Sequence, residues 1–174
     1  YFIGSAAETW GYGFPYDQIM GDLIASDVTN VAQKFYNYYN TYPSLQDATV
    51  VVIDNSKLTA LAEQVQALVN QEIPATLTAT QQYGRSATGY QNTFFDLKDL
   101  IEKSWNGRDL TAFQSALDAA VVYKAATPYF FGIPNRNYSG LYCYIPKIDQ
   151  PQSLAAYRSK DTWSTASGMT DLVP

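Results

Sequence analysis

Apolar residues at helical spacing define the clearest element of the chain. This segment begins after Ser26 or Asp27, residue types that start helices, and ends before Pro43, which cannot continue one. Its apolar positions fall at i, i+3, i+4, i+7 and i+11, so they share one helix face, which we expect to pack on the core. They are Val28, Val31, Ala32, Phe35 and Tyr39.

Other helices are predicted on either side of this one. The first begins at about Tyr16, after an irregular stretch rich in glycine and proline. Another is capped by Ser56 and keeps a helical period until Pro74. We interpret residues 75–92, which are small and polar, as the next helix, and we expect Gln152–Leu172 to form a short helix followed by a loop and tail.

Two more helices are predicted between these. Leu97–Trp105 carries an apolar face and an Asp99–Lys103 pair at i, i+4, and the following Asn-Gly stops it. Asp109 starts a second helix that runs through Val121.

Three segments are predicted as strands. Thr49–Ile53 is a β-branched run without alternation, which is typical of a strand covered on both faces. Gly140–Ile145 alternates apolar residues with tyrosine, and this places Cys143 between two apolar neighbours on one side. Tyr1–Ile3 consists of strand formers with nothing upstream to pair with, so we expect it to hydrogen-bond to polypeptide outside this sequence and to complete a larger sheet.

Composition narrows the classes of function. At 174 residues with 47% hydrophobic and 16% charged residues, the chain can bury a core of its own. The net charge of −5 and the lack of a basic stripe argue against nucleic-acid binding, and no apolar stretch is long enough to span a bilayer. The 15 tyrosines favour core and rim positions over a dedicated stacking face.

Candidate chemistry within the chain is sparse. There is no histidine, and the lone Cys143 lies mid-strand without a base or cation to hold a thiolate, so we expect it to be a packing residue. Asp96 and Asp99 lie among Lys98, Glu102 and Lys103, which favours a solvated face over an acid/base pair. Zinc and EF-hand calcium sites are disfavoured because their ligand motifs are absent from the sequence.

Several segments, taken in order, resemble the clostripain-like (C11) cysteine peptidases. They correspond to the part of that family that follows the catalytic cysteine. The segments are Tyr1–Ser5, Glu8, Gly11–Tyr16, Thr49–Leu58, Arg85, Phe95–Leu97, Ser139–Pro146, Tyr157 and Trp163.

The resemblance implies a fold and a division of the chain. The fold class is α/β, namely the C-terminal part of a caspase-like (clan CD) fold that is helix-rich with a few strands completing a larger sheet. Residues 1–174 would form one C-terminal portion. Within it, residues 1–54 hold strand, pocket loop, helices and strand; residues 55–127 form a helical region; and residues 128–174 hold the late strand and tail.

The resemblance also implies a function. The family is a set of cysteine endopeptidases, in which a Cys nucleophile and a His base perform acyl transfer, and both would lie upstream of Tyr1. This chain would supply a wall of the pocket for the substrate side chain before the scissile bond. Carried over by position, that wall consists of Ser5, Glu8, Thr9, Trp10, Gly11 and Tyr12.

One position departs from the family pattern. Members that cleave after Arg or Lys commonly have an acidic residue where this chain has Tyr12, because a carboxylate pairs with the basic side chain. We therefore expect the preference for basic residues to be weakened or absent, unless Glu8 or an upstream acid supplies the charge.

Two alternatives remain open at this point. The first is that the chain is an extracellular glycan- or peptide-binding module that uses its aromatic residues. The second is that it is an inactive relative of the peptidase. For the peptidase, the resemblance implies secretion or a cell-surface location and proteolytic processing. It also implies a peptide or protein substrate, an N-terminal chain or segment of the same precursor that carries the dyad, and no cofactor beyond the calcium on which some members depend.

Overall fold

The computed structural model describes residues 1–6, 11–41, 48–83, 94–130, 132–146, 151–160 and 162–173. In these ranges the chain is a helix-rich α/β fold with small antiparallel sheets. The helices are α1 Tyr16–Ile24, α2 Val28–Thr41, α3 Leu58–Gln71, α4 Leu97–Ser104, α5 Thr111–Ala120, α6 Pro151–Lys160 and α7 Thr162–Ala166. The strands are β1 Phe2–Gly4, β2 Thr49–Ile53, β3 Gln82–Tyr83, β4 Phe94–Asp96, β5 Val121–Ala126, β6 Tyr129–Phe130, β7 Ile133–Pro134 and β8 Tyr142–Tyr144.

The helices with a strong apolar period are confirmed. Helix α2 begins where predicted, because the Asp27 side chain accepts a hydrogen bond from the Asn30 N–H at 3.0 Å and so caps the first turn. Its predicted face is buried at Val31, Ala32, Phe35 and Tyr39.

The start of α3 differs from the prediction. A short 3₁₀ turn, Asn55–Lys57, precedes the helix, and its cap is Asp54, whose carboxylate accepts from the Ser56 N–H at 2.9 Å. Ser56 therefore lies inside the turn and is not the cap. The helix ends at Gln71, as its apolar period before Pro74 predicts.

The helix predicted over residues 75–92 is wrong wherever the structure describes it. Residues 75–81 have no regular structure and lead into β3, while residues 84–92 lie outside the described ranges. The physical reason lies in α4, whose side chains bind the backbone that a helix would have used. Asp99 accepts from the N–H groups of Thr80 and Gln81, and Ser104 accepts from that of Thr78.

Five of the described strands, β3 to β7, were not predicted, and one helix is shorter than expected. Helix α5 ends at Ala120, and Val121 instead begins β5, which pairs with β2. Strand β4 immediately precedes α4 and pairs with both β3 and β8. The segment after residue 150 is also more helical than expected, since α6, α7 and a 3₁₀ turn at Met169–Leu172 follow one another.

The first sheet has the antiparallel order β1-β2-β5. Every residue of β2 is buried, as its β-branched run predicts. The expectation for β1 needs a correction, because one of its edges is paired within the chain by β2. Its other edge has no partner strand among the described residues.

The described part has three apolar clusters, and the two larger ones hold the layers together. The smaller of these two packs the buried face of α2 on one face of the first sheet, at Val50 and Val52. The larger core joins α3, α4 and α5 with β8 and the C-terminal 3₁₀ turn, where Met169 and Leu172 are buried. The described part contains no helix with the length and apolar character needed to cross a bilayer.

Candidate functional site: the loop after β1

Ser5 marks the point where β1 gives way to the predicted pocket loop. Its hydroxyl lies 2.6 Å from the Thr49 hydroxyl at the start of β2, so the two strand ends are joined by a side-chain hydrogen bond. Ala6, the next residue, is buried. The loop therefore leaves the sheet from a fixed point.

Gly11 and Tyr12 are the other predicted pocket residues within the described part. Both are in an exposed turn, and 72% of Tyr12 is accessible to solvent. Glu8, Thr9 and Trp10 lie outside the described residues. The structure thus describes Ser5 before, and the Gly11–Tyr12 turn after, the part of the predicted pocket wall that lies outside the described residues.

The far end of this loop is held by helix α2. Gly13 has a φ of 67°, a conformation that favours glycine, and its carbonyl accepts a 2.7 Å hydrogen bond from the Tyr39 hydroxyl. Phe14 packs against Phe35 with ring centroids 4.7 Å apart. Burial raises the pKa of Tyr39, so this donor stays protonated at neutral pH.

Tyr39 and Thr49 were not identified as site residues from the sequence. The helical period of α2 placed Tyr39 correctly on the buried face but gave no sign of its bond to Gly13. Thr49 was recognised only as the first residue of a β-branched strand. Tyr39 is buried and Tyr36 and Tyr38 pack against the same core, so the tyrosines of α2 serve the core and its rim, as predicted.

Asp96 and Asp99 contradict the expectation of a solvated face. Asp96 is fully buried, and it accepts hydrogen bonds from the Tyr83 hydroxyl at 2.7 Å, the Ser139 N–H at 2.7 Å and the Asp99 N–H at 3.1 Å. The last of these bonds makes Asp96 the N-cap of α4.

Asp99 is also buried, and its partners lie outside its own helix. It accepts from the backbone of Thr80 and Gln81 and from the Asn137 amide, and Lys103 lies 3.7 Å away. The expected i, i+4 pair with Lys103 therefore forms, but as one contact of a buried carboxylate.

The pKa values of the two carboxyl groups are shifted in opposite directions. Burial holds the pKa of Asp96 above its ordinary value, in spite of the hydrogen bonds it accepts. Burial also acts to raise the pKa of Asp99, but the hydrogen bonds from Gln81, Thr80 and Asn137 outweigh it, and the pKa is lowered. Since both groups are occupied by protein donors, we assign them a structural role.

Cys143 is a core residue, as its position in the strand predicts. It is buried in β8, and its thiol lies 3.6 Å from the Phe95 carbonyl. Burial raises the pKa of the thiol, which keeps it protonated. In the described ranges, no three His, Cys, Asp or Glu side chains come together in a way that would hold a metal ion.

Comparison with solved structures shows the same fold in C11 proteases. An inactive zymogen C11 protease from Parabacteroides distasonis is 28% identical with a TM-score of 0.78, over 95% of this chain and 51% of that one. A secreted C11 cysteine protease from Bacteroides thetaiotaomicron is also 28% identical, with a TM-score of 0.76 over 95% of this chain and 48% of that one. The chain thus spans about half the length of these two proteins.

A third structure and a family comparison complete the assignment. A clostripain from Bacteroides thetaiotaomicron, in complex with a peptide inhibitor, is 28% identical with a TM-score of 0.74, over 95% of this chain and 75% of that one. No curated protein sequence matches the chain. Residues 1–158 match the model of the clostripain family, Peptidase_C11. The chain therefore belongs to the clostripain family of cysteine peptidases.

Proposed function

We propose that this chain is the portion of a clostripain-type cysteine endopeptidase downstream of the nucleophile, and that it supplies part of the substrate pocket. The catalytic Cys and His would lie on an N-terminal segment or chain of the same precursor. One observation carries the proposal: a chain of a cysteine peptidase family contains no histidine, and its one cysteine is buried with a raised pKa. These facts support a dyad supplied by other polypeptide.

The surface at the start of the chain supports a partner there. Seven of the twelve large hydrophobic residues that are exposed in the described part lie in the first 24 positions. Single exposed apolar residues are ordinary, but Tyr16, Met20, Leu23 and Ile24 fall at helical spacing on one face of α1, and an exposed apolar face favours an interface. The seven are Tyr1, Phe2, Tyr12, Tyr16, Met20, Leu23 and Ile24.

Strand β1 supports the same assignment. Its one unpaired edge, within the described residues, offers backbone donors and acceptors to a further strand. A catalytic segment that extended the sheet at this edge would bring its own side chains beside Ser5 and the loop that follows. The wider fold would then be caspase-like.

The proposed pocket wall is Ser5, Glu8, Thr9, Trp10, Gly11 and Tyr12. Ser5 is fixed by its hydrogen bond with Thr49, and Gly13, which follows Tyr12, by its hydrogen bond from Tyr39, which suits a wall that must present a constant shape. In the proposed reaction, the thiolate attacks the peptide carbonyl and the histidine transfers the proton to the leaving amine. This chemistry needs no cofactor, and calcium dependence is left as an expectation from the family.

We further propose secretion, since one relative is described as a secreted protease. A glycan-binding module is less well supported. Tyr39, Tyr83 and Tyr157 are buried, and the exposed tyrosines lie on separate elements.

Activity of the assembled protein tests the proposal. We expect this chain alone to hydrolyse no peptide from a fluorogenic panel, whereas the chain combined with the polypeptide that precedes it in the precursor hydrolyses at least one. Cys143→Ala should leave the activity of the assembled protein unchanged. Hydrolysis by the chain alone would refute the proposal, and an inactive assembly would favour the non-catalytic relative.

A second prediction concerns Tyr12 and the preference for the substrate side chain before the scissile bond. We expect Tyr12→Asp in the assembled protease to raise kcat/KM for Arg or Lys peptides about tenfold, because it adds an exposed carboxylate to the rim. Tyr129→Asp, at an exposed residue in β6, is the matched control and should have no effect. A strong basic preference in the unaltered protease that disappears only when an upstream acid is replaced would contradict a decisive role for Tyr12.

A further inference from the structure

A small open cavity lies where α4 and β5 meet the turn before β8. Its volume is about 210 Å³. The lining is polar throughout and mostly charged. It consists of Lys98, Asp99, Glu102, Lys124, Arg136, Asn137 and Tyr138.

Two of the cations in this cavity have no acidic partner among the described residues. Lys98 lies 3.6 Å from Glu102, and the buried Asp99 is already satisfied by protein donors. Lys124 and Arg136 form no ion pair within the part of the chain that the structure describes. In a chain of net charge −5, two cations that line one cavity and pair with no described carboxylate are available to an external anion.

The wall that carries Arg136 is held in place. Its neighbour Asn137 donates its amide to the Asp99 carboxylate at 2.8 Å and its N–H to the Gln81 side chain at 3.3 Å. Lys124 is fixed from the other side, because it lies in the ladder of β5 opposite Val51. Lys124 and Arg136 therefore both extend from well-held backbone positions toward a ligand in the cavity.

The cavity lies next to the proposed substrate rim. Gly4, Val51 and Lys124 form one row across the first sheet, so Gly4 and Lys124 are about 10 Å apart. In β2, Thr49 lies two positions before Val51 and so on the same face of the sheet, and its hydroxyl bonds Ser5.

We propose that this cavity is a subsite for an acidic side chain of the peptide substrate, with Lys124 and Arg136 binding its carboxylate. Arginine offers a fork that matches a carboxylate, and lysine adds a point charge. Peptide is the favoured ligand because the site borders the rim that a peptide would occupy. This inference rests on the proposed peptidase function.

A paired peptide series tests the subsite. Fluorogenic peptides that differ only by Asp or Asn, at each position around the scissile bond, are assayed with the assembled protease at low salt. We expect one position at which Asp exceeds Asn in kcat/KM by about tenfold, since a partly open pair of cations is screened by solvent.

Variants assign that preference to the two cations. Lys124→Gln with Arg136→Gln should remove the Asp preference and leave the Asn peptides unchanged. Lys57→Gln is the control. It removes an exposed cation from the 3₁₀ turn that follows β2 and should leave the Asp preference intact. If Asn peptides are cut but no position prefers Asp, or if the preference survives the double variant, the subsite is overturned while the proposed function stands.

Binding provides a readout that does not depend on turnover. Fluorescence anisotropy with the labelled Asp and Asn peptides should show tighter binding of the Asp form, lost in the double variant. If this holds while nothing is hydrolysed, the peptidase proposal fails and the acidic-peptide subsite remains. Equal binding of both peptides overturns the subsite, and displacement by inorganic phosphate without Asp discrimination identifies a general anion site instead.

Discussion

Replacing Asp96 with alanine is expected to lower the free energy of unfolding by about 4 kcal/mol. The side chain is completely buried, and its oxygens accept from the Tyr83 hydroxyl and from the N–H groups of Ser139 and Asp99. Alanine would leave these three donors without an acceptor in the interior and would remove the cap of α4. Asp96 links three segments, because its donors belong to β3, α4 and the turn before β8. Its loss therefore affects all three at once.

Urea denaturation of the intact protein measures this effect. Asp96→Asn keeps one acceptor oxygen and should cost less than alanine. Asp118→Ala, at an exposed position of α5, is the control and should change stability by no more than about 0.5 kcal/mol. A loss below about 1 kcal/mol for Asp96→Ala would show that the buried network contributes little.

The contributions of Asp96 and Asp99 to the free energy of unfolding depend on pH in opposite ways. Because burial raises the folded-state pKa of Asp96, the folded protein binds this proton more tightly than the unfolded chain does. Its contribution is therefore fully present below the unfolded pKa of about 3.9 and is lost as the pH rises through the folded value. Asp99, whose pKa is lowered, contributes stability above its unfolded pKa that is lost as the pH falls. Asp96→Asn should remove only the first of these trends.

Gly140→Ala is the second substitution with a large expected effect, a loss of about 3 kcal/mol. Gly140 has a φ of 95°, which strains any residue with a Cβ, and an added Cβ would lie 2.7 Å from the Val51 side chain. Val51 cannot move aside easily, because it is buried in the middle of β2. The glycine thus allows the segment before β8 to approach the first sheet.

Gly21→Ala provides the opposite result with the same change of side chain. Gly21 lies inside α1, and nothing is within 4 Å of an added Cβ. Alanine should raise stability by about 0.5–1 kcal/mol, since glycine is a poor helix former. Thermal and urea unfolding of both variants should move in opposite directions, and equal effects would contradict the close approach at Gly140.

Local patterns predicted the parts of the fold whose causes are local. The apolar period of α2 and the β-branched run of β2 can each be recognised within a few residues, and each predicts which side chains are buried. Asp96 and Asp99 show where this fails. Their neighbours in sequence are charged, but the donors that allow their burial come from residues 80–83 and 137–139, which no local pattern connects to them.

The candidate site divides in the same way. The loop after β1 was found through its resemblance to a family, and the glycine-rich sequence predicted an irregular turn. The contacts that hold it, Tyr39 to Gly13 and Ser5 to Thr49, span 26 and 44 positions and depend on how α2 and β2 pack. The cations of the cavity were also beyond sequence analysis, since Lys98, Lys124 and Arg136 lie on three separate segments.

Covalent labelling tests the central claim, that the reactive cysteine lies outside this chain. The assembled protease is treated with a thiol-reactive peptide inhibitor, and the modified residue is located by mass spectrometry. We predict that the label is carried by a cysteine of the preceding polypeptide and that Cys143 is unmodified. A label on Cys143, accompanied by loss of activity, would contradict the account.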